Sequence, residues 1–137
     1  MFEVSVEDSF AAGHALRGYR GKCENPHGHN YKVRITLAGD ELDSIGLLYD
    51  FKDLKQAMNQ IIDRLDHQFL NDIEPFRQLN PSAENMARYF YQEATSHLQQ
   101  ATGGPDDDRK SRVVFITRDI GEREVRDLLA AVRALAV

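Results

Sequence analysis

One cysteine in 137 residues leaves no internal disulfide to form, and an unpaired thiol suits a reducing compartment, so the expected location is cytoplasmic. Long apolar runs are missing too, and nothing approaches the ~20 residues that a membrane-crossing helix needs. The opening Met1-Phe2-Glu3-Val4 has no basic segment leading into an apolar stretch, so no secretory signal is expected either. Positive charge is in short supply. Lys and Arg number 17 against 22 Asp and Glu, a formal net charge of -5. That balance argues against nucleic acid as the main partner, because a phosphate backbone demands a broad basic surface. No linker, repeat or low-complexity segment divides the chain. Its length suits one domain, residues 1–137, with one core.

What is present is patterned. Phe2, Val4 and Val6 alternate with Glu3, Ser5 and Glu7, which predicts a half-buried strand. The stretch from Ala11 to Lys22 holds Gly13, Gly18 and Gly21 and reads as a loop that carries His14. It contains no acid, while Arg17, Arg20 and Lys22 crowd together before Cys23. Such a cluster suits a small polyanion or, equally, a solvated loop. A second strand places Tyr31, Val33, Ile35 and Leu37 on one face, ending at Gly39-Asp40.

Asp50 is a good helix N-cap, and Phe51, Leu54, Met58, Ile61 and Leu65 follow at helical steps. A second helix is expected from about Asn80-Pro81-Ser82, with Met86, Phe90, Ala94 and Leu98 inward. His97 is expected to be exposed or edge-packed, without chemistry. Val113-Val114-Phe115-Ile116 predicts a third strand, and Val125, Leu128, Leu129, Val132 and Leu135 predict a helix in 121–137. The order is that of an α+β domain whose first two helices cover one sheet face. Open sheet edges would favour assembly with other copies.

The chemistry centres on Cys23-Glu24-Asn25-Pro26-His27-Gly28-His29, with His14 upstream. Imidazoles at i and i+2 on a strand point to one side. A third from a neighbouring segment would complete a three-histidine site with an open position, the layout of a catalytic rather than a structural zinc. Zinc suits neutral imidazoles, and no carboxylate cage is present. His27 and His29 share the parity of the apolar face, unless a bulge at Gly28 shifts them. Cys23 can be a fourth ligand, a thiolate base with its pKa lowered by neighbours, or a small buried residue. Asp66-His67 is either a helix-end pair favoured by the helix dipole or a charge-tuned imidazole.

These residues belong to a longer ordered set. Phe10-Ala11-Ala12-Gly13-His14-Ala15-Leu16, Cys23-x-x-x-His27-Gly28-His29-Asn30-Tyr31, Asp50-Phe51, Leu65-Asp66-His67, Leu70-Asn71 and Pro81-Ser82-Ala83-Glu84-Asn85 follow one another over about four-fifths of the chain. Together they resemble the 6-pyruvoyltetrahydropterin synthase family. The three-residue gap between Cys23 and His27 is similar to the 6-carboxytetrahydropterin synthase branch, which serves queuosine and other deazapurine synthesis.

The resemblance implies zinc on His14, His27 and His29, with 7,8-dihydroneopterin triphosphate as substrate. It implies Cys23 as general base and His67, oriented by Asp66, as the second proton carrier. In that branch acetaldehyde and triphosphate leave and 6-carboxytetrahydropterin remains. It also implies a tunnelling fold, an antiparallel sheet with two helices on one face, closing into homo-oligomers as trimers or hexamers.

Two departures stand out. The family's Glu-Thr pair, whose carboxylate clamps the pterin ring, is replaced by Ile116-Thr117. That leaves Thr117 as a substrate-binding candidate, and a ring donor buried without its acceptor costs about 1–3 kcal/mol. The fourth strand is absent as a pattern, with the atypical 121–137 helix in its place. Glu122 and Glu124 are the acids that could replace the clamp.

Overall fold

The computed structural model describes residues 1–102 and 110–118, with side chains for residues 1–98 other than Cys23. Alternating apolar residues build a long hairpin. Strand β1 (Phe2–His14) pairs antiparallel with β2 (His27–Gly39), in unbroken register from Phe2↔Gly39 to His14↔His27. No bulge interrupts Gly28, so the parity expected for His27 and His29 holds. Tyr31, Val33, Ile35 and Leu37 are each at most 1% exposed. Val4, Val6, Phe10 and Ala12 supply the same face from β1.

Helices α1 (Phe51–Leu65) and α2 (Ala83–Thr102) cover that face and share its core. Asp50 caps α1 by accepting the Lys52 amide at 2.7 Å, and Ser82 accepts the Asn85 amide at the start of α2. Met86, Phe90, Ala94 and Leu98 are buried as their spacing predicts, and His97 is half-buried. Phe51 departs from the expected stripe and is 60% exposed. It opens the helix at its first residue, and Ala57 and Ile62 widen the buried face instead.

Strand β4 (Lys110–Arg118) pairs antiparallel with β2, and a two-residue strand, β3 (Gln68–Phe69), pairs parallel with β1 at Ala12 and Gly13. The sheet order is β3-β1-β2-β4. The fold is therefore α+β as expected, with three long antiparallel strands and one short parallel edge among the described residues. The loop predicted from Ala11 begins only after His14. Gly13 stays in the strand because Phe69 packs on it: a Cβ there would lie 3.2 Å from Phe69 Cδ2. On the opposite face Glu7 takes Lys32 and Arg34 in ion pairs. The predicted 121–137 helix, with Glu122 and Glu124, lies outside the described residues. Among those described, no helix is long and apolar enough to cross a membrane.

Candidate metal centre and its neighbouring Asp-His pair

The hairpin register builds the first half of the site. His14 and His27 are direct cross-strand partners, and His29 faces Ala12, the position diagonal to His14. Antiparallel partners share a face and diagonal neighbours lie within reach of large side chains. Three imidazoles therefore converge at the end of the two strands. Their candidate ligand atoms all lie within 4.8 Å of one another. The rings stand edge to face, with centroids 4.5, 4.9 and 4.7 Å apart for the pairs 14–27, 14–29 and 27–29. Tyr31 forms the floor beneath His14 and His29 and stacks on Phe10 at 5.0 Å.

Hydrogen bonds fix which nitrogens face inward. His14 Nδ1 donates to the Pro81 carbonyl at 2.8 Å, and His27 Nδ1 donates to the Asn25 carbonyl at 2.6 Å. A carbonyl can only accept, so both Nδ1 atoms carry the proton. Yet His14 Nε2 and His27 Nε2 lie 3.0 Å apart. In two neutral rings these atoms are both lone-pair acceptors, and they repel unless a proton or metal cation lies between them. Backbone carbonyls on the outer nitrogens are the usual means of orienting histidine ligands. His14 is buried, while His27 and His29 are half-buried, so one side is open to an incoming ligand.

The Asp-His pair is held to the edge of β1. Asp66 is the C-cap of α1, and its Oδ1 accepts the Ala11 amide at 3.0 Å. The His67 amide returns a bond to the Ala11 carbonyl at 2.6 Å. Asp66 Oδ2 meets His67 Nδ1 at 3.0 Å, so the two side chains do pair, and the His67 side chain is 81% exposed. A cleft of about 540 Å³ is lined by segments 11–13, 28–30 and 67–69, bringing His29 and His67 to common walls. That volume is in the range of small-molecule sites. Gly13 and Gly28 face each other across the strands there, and the Phe69 ring packs over Gly13.

The Ala11 amide and then the His67 imidazole hold the Asp66 carboxyl below its ordinary range. A depressed carboxyl stabilises the fold fully above its unfolded pKa and loses that contribution as pH falls through its folded one. Asp66→Asn is therefore expected to flatten the stability profile below about pH 4. Urea midpoints measured against pH check this, and a wild-type slope there would remove the assignment.

His67 has φ +57°, in the left-handed region, just past the end of α1. Glycine is the usual residue there, and a side chain with a Cβ is strained by roughly 1–2 kcal/mol. His67→Gly should raise the urea-unfolding free energy by about 1 kcal/mol, since the exposed ion pair it deletes contributes little.

Other predicted residues fare differently. Cys23 sits in a single 3-10 turn, Lys22–Glu24, between the loop and β2, and its side chain lies outside the described set. Ile116 and Thr117 are the register partners of Val33 and Lys32. The exposed Arg17 is also tied down: its guanidinium donates to the Phe76 carbonyl at 2.9 Å, with longer contacts to those of Leu79 and Asn71. Arg20 and Lys22 remain exposed. The carbonyls of Asn25 and Pro81 were not singled out from sequence, because every residue offers a carbonyl and only the fold aims one.

An α+β unit with three converging histidines at the end of its hairpin and an Asp-His pair on the adjoining edge defines a class of protein. Residues 3–115 match the 6-pyruvoyl tetrahydropterin synthase family, and the chain belongs to it. The 6-carboxy-5,6,7,8-tetrahydropterin synthase of Haemophilus influenzae is 42% identical over 76 residues, 53% of this chain and 54% of that one. The enzyme of the same name from Bacillus subtilis is 36% identical over 109 residues, covering 76% and 73%. Among solved structures, the 6-pyruvoyl tetrahydropterin synthase of Caenorhabditis elegans superposes with a TM-score of 0.64 at 28% identity, covering 88% of this chain and 98% of that one.

Proposed function

We propose that the protein is a zinc-dependent lyase converting 7,8-dihydroneopterin triphosphate and water to 6-carboxy-5,6,7,8-tetrahydropterin, with release of acetaldehyde and triphosphate. The observation that carries the reading is the inward meeting of His14 and His27 Nε2 at 3.0 Å, with both outer nitrogens committed to carbonyls. His14, His27 and His29 hold the metal. Zinc bound there supplies Lewis acidity, lowering the pKa of side-chain hydroxyls and stabilising charge that develops on oxygen. Cys23 takes a proton from the substrate's side chain. His67, with Asp66 on Nδ1, presents Nε2 to move the companion proton. The shared cleft supports this division of labour, since His29 and His67 both border it. Thr117 contacts the pterin ring. The enzyme works in the cytoplasm as a homo-oligomer, a trimer or hexamer, with residues 1–137 as one domain.

Relatives named 6-carboxy-5,6,7,8-tetrahydropterin synthase support the carboxy branch. The test is incubation of zinc-loaded protein with 7,8-dihydroneopterin triphosphate and identification of products by mass spectrometry. Substrate returned intact by folded, metal-replete protein would overturn the reading. A second reading rests on one observation: Ile116 stands opposite Val33 in the β2–β4 ladder where the family's glutamate is expected. A diverged lyase acting on another pterin would accept a ring with fewer donors, and a panel of such rings separates the two.

A further inference from the structure

β1 ends at His14, yet the edge it presents to β3 keeps being satisfied beyond that point. Ala15 donates its amide to Asn71 Oδ1 at 2.9 Å, and Asn71 Nδ2 donates back to the Ala15 carbonyl at 2.9 Å. Two residues later the pattern repeats. Arg17 donates its amide to Asn80 Oδ1 at 2.8 Å, and Asn80 Nδ2 donates to the Arg17 carbonyl at 2.9 Å. A carboxamide carries a donor and an acceptor side by side, as a strand's backbone does, and only one orientation of the amide satisfies both bonds. Backbone groups of residues i and i+2 leave the same edge of an extended chain. With Ala11 held by Asp66 and His67, and Ala12 and Gly13 by β3, the edge is occupied from Ala11 to Arg17.

The second clamp is tied directly to the candidate metal centre. Asn80 is followed by Pro81, whose carbonyl takes the His14 Nδ1 proton. The Asn80 carbonyl itself accepts from Asn85 Nδ2, in the first turn of α2, at 2.9 Å. Asn80 thus joins α2, the backbone at Arg17 and the carbonyl that aims His14. Nothing in the proposed chemistry uses these amides.

We propose that Asn71 and Asn80 are positioning residues of the metal centre. Their side chains act as a surrogate strand beyond Gly13, and hold His14 so that Nε2 meets His27. The inference rests on the three-histidine metal reading and not on the identity of the substrate. Groups that orient a ligand of this kind change metal affinity by roughly 10–100-fold when removed.

Zinc affinity is measured by competition with a chromophoric chelator on protein shown folded by circular dichroism, and the visible spectrum of the cobalt-loaded form reads the ligand field. Asn80→Ala should weaken zinc by up to about 10-fold, the low end for orienting groups because it acts through the Pro81 carbonyl, and alter the cobalt spectrum, with Asn71→Ala acting in the same direction by less. Asn80→Asp is the companion variant if alanine prevents folding. It keeps the acceptor for the Arg17 amide but sets a carboxylate oxygen against the Arg17 carbonyl, so it too should weaken the metal. Variants that melt lower yet keep wild-type affinity and spectrum would overturn the inference and leave the proposed function standing. Failure of the unsubstituted protein to take up stoichiometric zinc would overturn both.

Discussion

His27→Ala is expected to abolish stoichiometric zinc binding and turnover together, while the sheet stays folded. The histidine lies at the first residue of β2, and the buried run that anchors the strand begins only at Tyr31. What the substitution removes is one of two nitrogens that face each other at 3.0 Å. Losing a ligand outright should weaken the metal by more than the roughly 10–100-fold that follows loss of an orienting group.

The sign of the stability change depends on the metal. In protein stripped by chelator, two neutral imidazoles aimed lone pair to lone pair are unfavourable, and deleting one relieves the contact. Stripped His27→Ala should therefore unfold at a urea concentration equal to or above that of stripped wild type. Zinc reverses the order. At free zinc a thousand times the dissociation constant, wild type gains about 4 kcal/mol by mass action, and the variant gains almost nothing. Urea titrations of both proteins with and without zinc give four midpoints. If zinc leaves the gap between wild type and variant unchanged, His27 is a structural residue and the metal reading fails.

How much of this was legible in the sequence depends on whether the signal was periodic. The alternation from Tyr31 to Leu37 gave β2 its buried face, and continuing it backward gave the side on which His27 and His29 stand. Gly13 misled because a glycine required by a close neighbour looks like one that breaks a strand. Its reason, the Phe69 ring, comes from a segment that a sequence cannot bring alongside. β3 has two residues and therefore no period. The left-handed backbone at His67 and the clamps of Asn71 and Asn80 were equally hidden, since an amide's partners are a property of the fold. The motif Leu70-Asn71 marked Asn71 without saying why, and Asn80 stood one residue outside the motif Pro81–Asn85. Arg17 adds a detail that spacing could not give: its guanidinium donates to carbonyls of the 71–79 segment while the residue stays exposed.

Cys23→Ala decides between catalysis and scaffold. Cys23 belongs to the Lys22–Glu24 turn, shortly before the strand that carries His27 and His29. If it is the general base, the variant should retain one zinc, the same melting temperature and the same cobalt spectrum, yet lose turnover by about 10²–10⁴-fold. If the thiolate instead closes a structural site, its removal should release metal and lower the melting temperature. Cobalt separates the cases directly, because a sulfur ligand adds an intense charge-transfer absorption that an all-nitrogen site lacks. The geometry of the imidazoles favours the first outcome. Three histidines already supply the protein ligands of an open catalytic site, and a fourth would fill the position that a substrate hydroxyl must reach. Cys23→Ser sharpens the point: its hydroxyl is a far weaker base than a thiolate at neutral pH, so it should be nearly as inactive as alanine while fully loaded with zinc.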